Sequence, residues 1–128
     1  KGKQKMQTLK ELQLQRKELN EKLDCVIVSF AQATGTEYKS LAELSYKLGR
    51  KKARRTCWTV TEKLVKKFKM KYVPIKRMQA KNFLKDAEFV KDPIVVSVRG
   101  HMFVAKQGKP IWGLWKEKSV VKGYYIKQ

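Results

Sequence analysis

Two side chains that are scarce in this sequence, Cys25 and His101, could together carry out nucleophilic chemistry. Cys25 follows Asp24 at the start of a long apolar run, and His101, the single histidine, opens an apolar segment far downstream. A thiol attacks as its thiolate, and it needs a base that the fold brings from elsewhere in the chain. The types and order of these residues therefore predict a thiol–imidazole pair.

The segment that begins at Cys25 would help to stabilise the thiolate. Residues 25–35 are apolar on nearly every side and end at Gly35, which predicts a buried central helix with a glycine cap. A buried strand is the competing prediction, because the run is rich in β-branched residues. The unpaired N–H groups at a helix N-terminus favour an anion, and Gly100 leaves room beside His101 for another backbone or a substrate.

Helical patterns occupy the first two thirds of the chain, and strand patterns occupy the last third. Residues 1–23 predict a basic amphipathic N-terminal helix, followed by a compact domain at 24–128. Further helices are predicted at 38–48, at 79–85 and after a capping box formed by Thr59 and Glu62. Strands are predicted at 70–76, 93–98, 101–106, 110–115 and 120–127, with a hairpin turn at 107–109. Helices first and an antiparallel sheet last predict an α+β domain.

The charge of the chain is extreme, because 31 basic residues against 11 acidic ones give a net charge of +20. Such an excess favours polyanions such as nucleic acid, acidic partners or anionic membrane surfaces. The candidate nucleic-acid contacts are Arg50, Lys51, Lys52, Arg54, Arg55, Lys63, Lys66 and Lys67. A solvated surface is the other interpretation of this charge, and packing is the alternative to base stacking for Trp112, Trp115, Tyr124 and Tyr125.

Several classes of protein are disfavoured by the sequence. No stretch approaches the roughly 20 apolar residues of a membrane span, and no apolar signal-peptide core follows the lysine-rich start. We therefore expect a soluble protein that is cytoplasmic or virion-associated. Two cysteines could form one disulfide, but without a secretion signal free thiols are favoured, with Cys57 structural. One histidine and two cysteines without ligand spacing predict no metal site, and we expect no cofactor.

A family resemblance rests on the motifs around these two residues. The chain resembles papain-like cysteine peptidases in four places. These are Asp24-Cys25-Val-Ile, the predicted helix ending Ala-Thr-Gly35, the predicted helix at Tyr38, and Ser97-Val-Arg-Gly-His101-Met-Phe-Val-Ala followed by Gly108. The chain most closely resembles their compact forms, which are related to the bacteriocin-processing (double-glycine leader) peptidase domain and to small cysteine-peptidase-like proteins of bacteria and bacteriophages. The resemblance covers about residues 20–127.

The resemblance implies roles for particular residues. Cys25 would be the nucleophile, and His101 would be the general base and later the acid. In this family an amide side chain about six residues before the cysteine helps its backbone N–H to hold the oxyanion; position 19 is leucine here, and the nearest amide is Asn20. The Asp or Asn that orients the imidazole is expected where this chain has Gly113.

Two functions follow as expectations. One is a papain-like peptidase or amide hydrolase for a peptide or protein substrate, with catalysis weakened by the missing orienting residue. The other is a non-catalytic, highly basic nucleic-acid-associated protein on the same scaffold, such as a phage virion protein or one ejected with DNA. The oligomeric state stays open, because the first helix could pair with a copy of itself, with another protein or with its own domain.

Overall fold

A computed structural model of the chain describes residues 8–113 and 115–128. Within them, helices and one five-stranded antiparallel sheet form an α+β fold, as predicted. The helices are α1 (Leu9–Glu18), α2 (Cys25–Thr34), α3 (Tyr38–Lys47), α4 (Trp58–Lys67) and α5 (Ala80–Asp86), the last followed by a short 3-10 helix at Ala87–Phe89. The strands are β1 (Met70–Gln79), β2 (Ile94–Val98), β3 (His101–Lys106), β4 (Lys109–Trp112) and β5 (Val120–Lys127).

The sheet has the strand order β1-β5-β2-β3-β4, and it separates two hydrophobic clusters. Because neighbouring residues of a strand point to opposite faces, Val95 and Tyr125 pack against α2, α3 and α4. Val96 and Phe103 pack on the other face, against α5. The sheet is thus covered by helices on both sides, and α2 lies against β3.

Helix α2 is the buried central helix that the sequence predicts, so the strand alternative is wrong. Its Ile27, Val28 and Phe30 are fully buried. The helix ends at Gly35, whose left-handed backbone (φ 72°) is the conformation that glycine adopts at a helix end without strain. Burial on all sides outweighs the modest helix propensity of the β-branched residues in this segment.

Some predicted boundaries change. The N-terminal helix is shorter than predicted: it covers Leu9–Glu18, it packs Leu12 into the main core, and residues 1–7 lie outside the described part of the chain. Helix α4 begins at Trp58 with Cys57 as its N-cap, so the predicted capping box at Thr59 is wrong. Strand β1 runs to Gln79, beyond the predicted end at residue 76, and β4 ends at Trp112.

A buried ion pair joins the segment between α1 and α2 to the loop after α3. The carboxylate of Glu21 accepts hydrogen bonds from both terminal nitrogens of Arg50, at 2.9 and 2.8 Å, and both side chains are fully buried. It also accepts from the Tyr46 hydroxyl and from the Ala53 N–H at 3.0 Å. The prediction that Arg50 contacts nucleic acid is therefore wrong, because its guanidinium lies in the interior.

A second buried carboxylate, Asp24, fixes the start of α2. It accepts two hydrogen bonds from Arg16, at 2.9 and 2.7 Å, and one from the Tyr38 hydroxyl at 2.6 Å. Burial, and then this hydrogen bond, raises the pKa of Tyr38 well above its ordinary value. Asp24 thereby ties α1 and α3 to the residue that immediately precedes Cys25.

Glu21→Gln should destabilise the fold by about 3–5 kcal/mol, because it leaves the Arg50 charge buried without its partner. Burial alone raises the pKa of Glu21, but the hydrogen bonds from Arg50, Tyr46 and Ala53 outweigh it, so the pKa lies below the ordinary 4.5. The stabilisation from ionised Glu21 is thus fully present above about pH 4.5 and is lost as pH falls through the lowered pKa.

Urea unfolding at a series of pH values measures this effect, with Glu43→Gln on the exposed side of α3 as the matched control. The difference in unfolding free energy between the original chain and Glu21→Gln should shrink at acid pH. Equal destabilisation by the two substitutions at pH 7 would contradict the role assigned to the buried pair.

Candidate active site

The structure brings Cys25 and His101 into the walls of one cavity of about 290 Å³. Cys25 is the first residue of α2, and His101 is the first residue of β3, where it pairs with Val98 of β2. Helix α2 contacts β3, and the shared cavity shows that the ends carrying these two residues lie near each other. The loop before α4 and residues of β5 complete the walls.

Cys25 is half-buried and carries a free thiol at the N-terminal end of α2. The side chain of Asp24, at the N-cap position, makes no capping hydrogen bond, because Arg16 and Tyr38 occupy its carboxylate. The N–H groups in the first turn of α2 are therefore not capped by that acid, and Cys25 lies beside them. Cys57 is also free, so the alternative of a disulfide is not realised.

His101 has one ring nitrogen, Nε2, that is buried without a hydrogen-bond partner. The Thr56 hydroxyl, in the wall of the same cavity, is likewise buried and unpaired. No hydrogen bond joins the Cys25 thiol to the imidazole in the described part of the chain. Because buried polar atoms are nearly always satisfied, these two leave hydrogen-bonding capacity in the cavity wall for a water molecule or a bound ligand.

Gly113 cannot supply the side chain that would orient this imidazole. Its φ of +97° is strained for any other residue, and a Cβ there would lie 2.9 Å from the Phe103 Cβ and 3.2 Å from the Phe103 Cα. The backbone of β4 thus approaches β3 too closely for an aspartate or asparagine at this position. Among the described residues that line the cavity, none has a carboxylate or carboxamide side chain.

Asn20 does not reach the site. It is exposed in the turn after α1, has a left-handed backbone (φ 56°), and is not among the described residues that line the cavity. Leu23 lies in the wall instead. The oxyanion contact that the resemblance assigns to Asn20 is therefore not supported, which leaves the backbone N–H of Cys25 as the remaining donor of that prediction.

Three polar residues in the cavity wall were not singled out as site residues for this chemistry: Arg55, Thr56 and Lys122. Arg55 donates a hydrogen bond to the Gly100 carbonyl at 3.3 Å, beside His101. Sequence offers little signal for Lys122, which is one lysine among many. A neighbouring cavity of about 210 Å³, mostly apolar, shares Trp58, Thr61 and Tyr125 with the first. The two cavities are therefore neighbours, and we refer to them together as the groove.

Most of the basic residues predicted to contact nucleic acid are exposed. Lys51, Lys52, Arg54, Arg55, Lys63, Lys66 and Lys67 are all exposed. The four aromatic residues considered for base stacking contribute to packing instead. Tyr125 contacts Phe30 with ring centroids 5.4 Å apart, Tyr124 contacts Phe83 and Trp115 contacts Phe103, while Trp112 packs against the main core.

The chain matches no protein-family model, no curated protein and no solved structure. Within residues 8–113 and 115–128, no group of three or more His, Cys, Asp or Glu side chains could hold a metal ion. No helix in these ranges is long and apolar enough to cross a membrane. The assignment of a function therefore rests on the geometry and chemistry of the cavity that contains Cys25.

Gly113→Ala should destabilise the fold more than Gly100→Ala does. Both glycines have positive φ, which costs another residue about 1–2 kcal/mol, but only Gly113 would also press a Cβ against Phe103. This overpacking adds about 1–3 kcal/mol. Thermal unfolding of the two variants makes the comparison, since a Cβ at Gly100 meets nothing within 4 Å. Equal midpoints would show that β4 can move away from β3 and accept a side chain.

Proposed function

We propose that this chain is a papain-like cysteine peptidase or amide hydrolase that acts on a peptide or protein substrate. The observation that carries the proposal is the meeting of a helix-terminal thiol, Cys25, and the only imidazole, His101, in one cavity. The exposed groove beside them, bordered by Trp58, gives an extended substrate a place to bind.

The reaction follows from the chemistry of these two side chains. His101 accepts the Cys25 proton, and the thiolate attacks the carbonyl carbon of the substrate. The oxyanion is held by the Cys25 N–H at the end of α2, and His101 returns the proton to the leaving amine. Water then attacks the thioester with His101 as its base, which releases the acid and restores the thiol.

The rate should be low for an enzyme of this kind. The imidazole has no Asp or Asn partner in the cavity wall, and loss of the orienting carboxylate costs about 10⁴-fold in the serine-protease case. With no partner, its tautomer is not fixed. A slow hydrolase is therefore the activity that this geometry supports.

Cys25 should react with iodoacetamide at pH 6.5 about tenfold faster than Cys57 does, if the cavity favours its thiolate. Accessibility alone would give the opposite order, because Cys57 is exposed and Cys25 is half-buried. Rates for Cys57→Ser and Cys25→Ser proteins, followed by mass spectrometry, isolate each thiol. His101→Ala should slow Cys25 and leave Cys57 unchanged.

His101→Gln serves as the matched variant, because it keeps hydrogen-bonding atoms but cannot act as a base. It should behave like His101→Ala. The hydrolase proposal would be contradicted if Cys25 reacted more slowly than Cys57, or if neither substitution of His101 changed the alkylation rate of Cys25.

A second candidate function, binding of a polyanion, is favoured by the exposed basic residues between positions 51 and 67. This segment has seven exposed Lys and Arg side chains and one acidic residue, Glu62. None of the seven has an ion-pair partner among the described residues. Loop and α4 together present unpaired positive charge on one side of the sheet, which suits contact with phosphates.

Affinity for duplex DNA tests this candidate. One triple variant replaces Lys63, Lys66 and Lys67 with Gln. It should lower the slope of log Kd against log salt concentration by about 2–3, because three phosphate contacts are lost. The matched control changes Lys81, Lys85 and Lys109, which are exposed on the α5 side of the sheet, and it should leave the slope nearly unchanged. Equal effects of the two triple variants would show that only net charge matters.

A further inference from the structure

We infer that the cavity containing Cys25 selects acidic peptides, whose carboxylate is bound by Arg55 and Lys122. This inference rests on the proposed peptidase function and adds its substrate class. Both cations lie in the cavity wall, and no described lining residue is acidic. Neither side chain has an ion-pair partner in the described part of the chain. The substrate would supply the missing counter-charge.

The position of Arg55 makes it suitable for this role. One terminal nitrogen donates to the Gly100 carbonyl, which directs the side chain to the turn that precedes His101. Arg has five N–H donors in a planar fork, so donors remain for a carboxylate of the substrate. A carboxylate bound there would lie near the imidazole.

The loop that carries Arg55 is anchored rather than loose. Arg50 donates through Nε to the Arg54 carbonyl at 3.0 Å, and the Ala53 N–H donates to the buried Glu21 carboxylate. The buried ion pair of Glu21 and Arg50 therefore holds the backbone on the N-terminal side of Arg55. A cation held this way loses less conformational freedom when it binds a ligand.

A peptide fits the cavity better than a nucleic acid does. Its volume of about 290 Å³ lies just below the roughly 300–1,000 Å³ of small-ligand sites, so it suits one side chain and its flanking amides. Duplex DNA presents its phosphates on a convex outer surface, where they cannot enter such a recess. The proposed reaction of the thiol in the same wall also requires an amide bond, which a peptide supplies.

The first experiment compares an anionic and a neutral alkylating reagent on Cys25 in the Cys57→Ser protein. In both reactions the thiolate forms a bond to carbon and iodide leaves, but only iodoacetate carries a carboxylate. The measured quantity is the iodoacetate rate divided by the iodoacetamide rate. Arg55→Gln with Lys122→Gln should lower this ratio about fivefold through the lost attraction.

The matched control is Arg54→Gln with Lys127→Gln, which removes the same charge from the same loop and the same strand but outside the cavity wall. It should change the ratio by about twofold or less, because these two charges lie outside the cavity wall and salt screens them from a reagent at Cys25. Lys122→Gln alone should also lower the ratio, and it should leave the fold undisturbed because the Lys122 side chain is exposed and makes no hydrogen bond to the described residues. An equal drop in cavity and control variants would overturn the inference.

The second experiment does not depend on the reactivity of Cys25. Tryptophan fluorescence, to which Trp58 in the walls of both cavities contributes, is followed while the capped peptide acetyl-Ala-Glu-Ala-amide is added, with the Gln peptide for comparison. We expect a saturable change with the Glu peptide, lost in the Arg55 and Lys122 double variant and kept in its control. Equal binding of the Gln peptide, or a response only to a single-stranded oligonucleotide, would overturn the inference.

The two proposals fail differently. A thiol that is slow with both reagents, together with selective binding of the Glu peptide, would contradict the peptidase function and leave an acidic-peptide binding site. A fast thiol with no preference between reagents or peptides would support the enzyme and remove the substrate class.

Discussion

The buried ion pair between Glu21 and Arg50 is the interaction on which the candidate site depends. Taking both charges out of water costs several kcal/mol per ion, and only good geometry with further hydrogen bonds offsets that cost. Tyr46 and the Ala53 N–H supply those bonds, and burial, then the contact with Glu21, raises the pKa of Tyr46 to about 12. The pair fixes both the segment that leads into Cys25 and the loop that leads to Arg55.

Two acidic side chains shortly before Cys25, Glu21 and Asp24, have structural roles. Asp24 precedes the candidate nucleophile directly, yet its carboxylate is turned to Arg16 and Tyr38 and lies almost fully buried. Its carboxylate therefore connects α1 and α3 to the start of α2 and is not a partner for His101. Glu21 and Asp24 are both paired inside the fold, and the cavity wall contains Arg55 and Lys122 but no acidic side chain among the described residues.

Local patterns in the sequence were sufficient for the elements but not for the long-range partners. Helix α2 and strand β5 follow from an apolar run with a glycine end and from residue alternation, which are properties of neighbouring residues. Arg50 belongs to a run of basic residues that is typical of a surface, and only a partner 29 residues earlier explains its burial. The prediction for Asn20 had a different weakness. The helical pattern of residues 1–23 does not indicate the turn at Asn20, where the chain leaves the helical conformation.

The chain directly after β4 approaches β3 closely, and this explains why no acidic side chain near Gly113 orients His101. It requires glycine at position 113, so the strand cannot provide an acid to hold His101 unless the backbone moves. The same cavity contains Arg55 and Lys122 without a counter-charge of the chain's own. A bound acidic peptide would bring a carboxylate to these two cations. A neutral peptide would leave both charges without a partner even if its backbone fitted the groove, which is why the proposed substrate class depends on the charge of the cavity wall rather than on its shape.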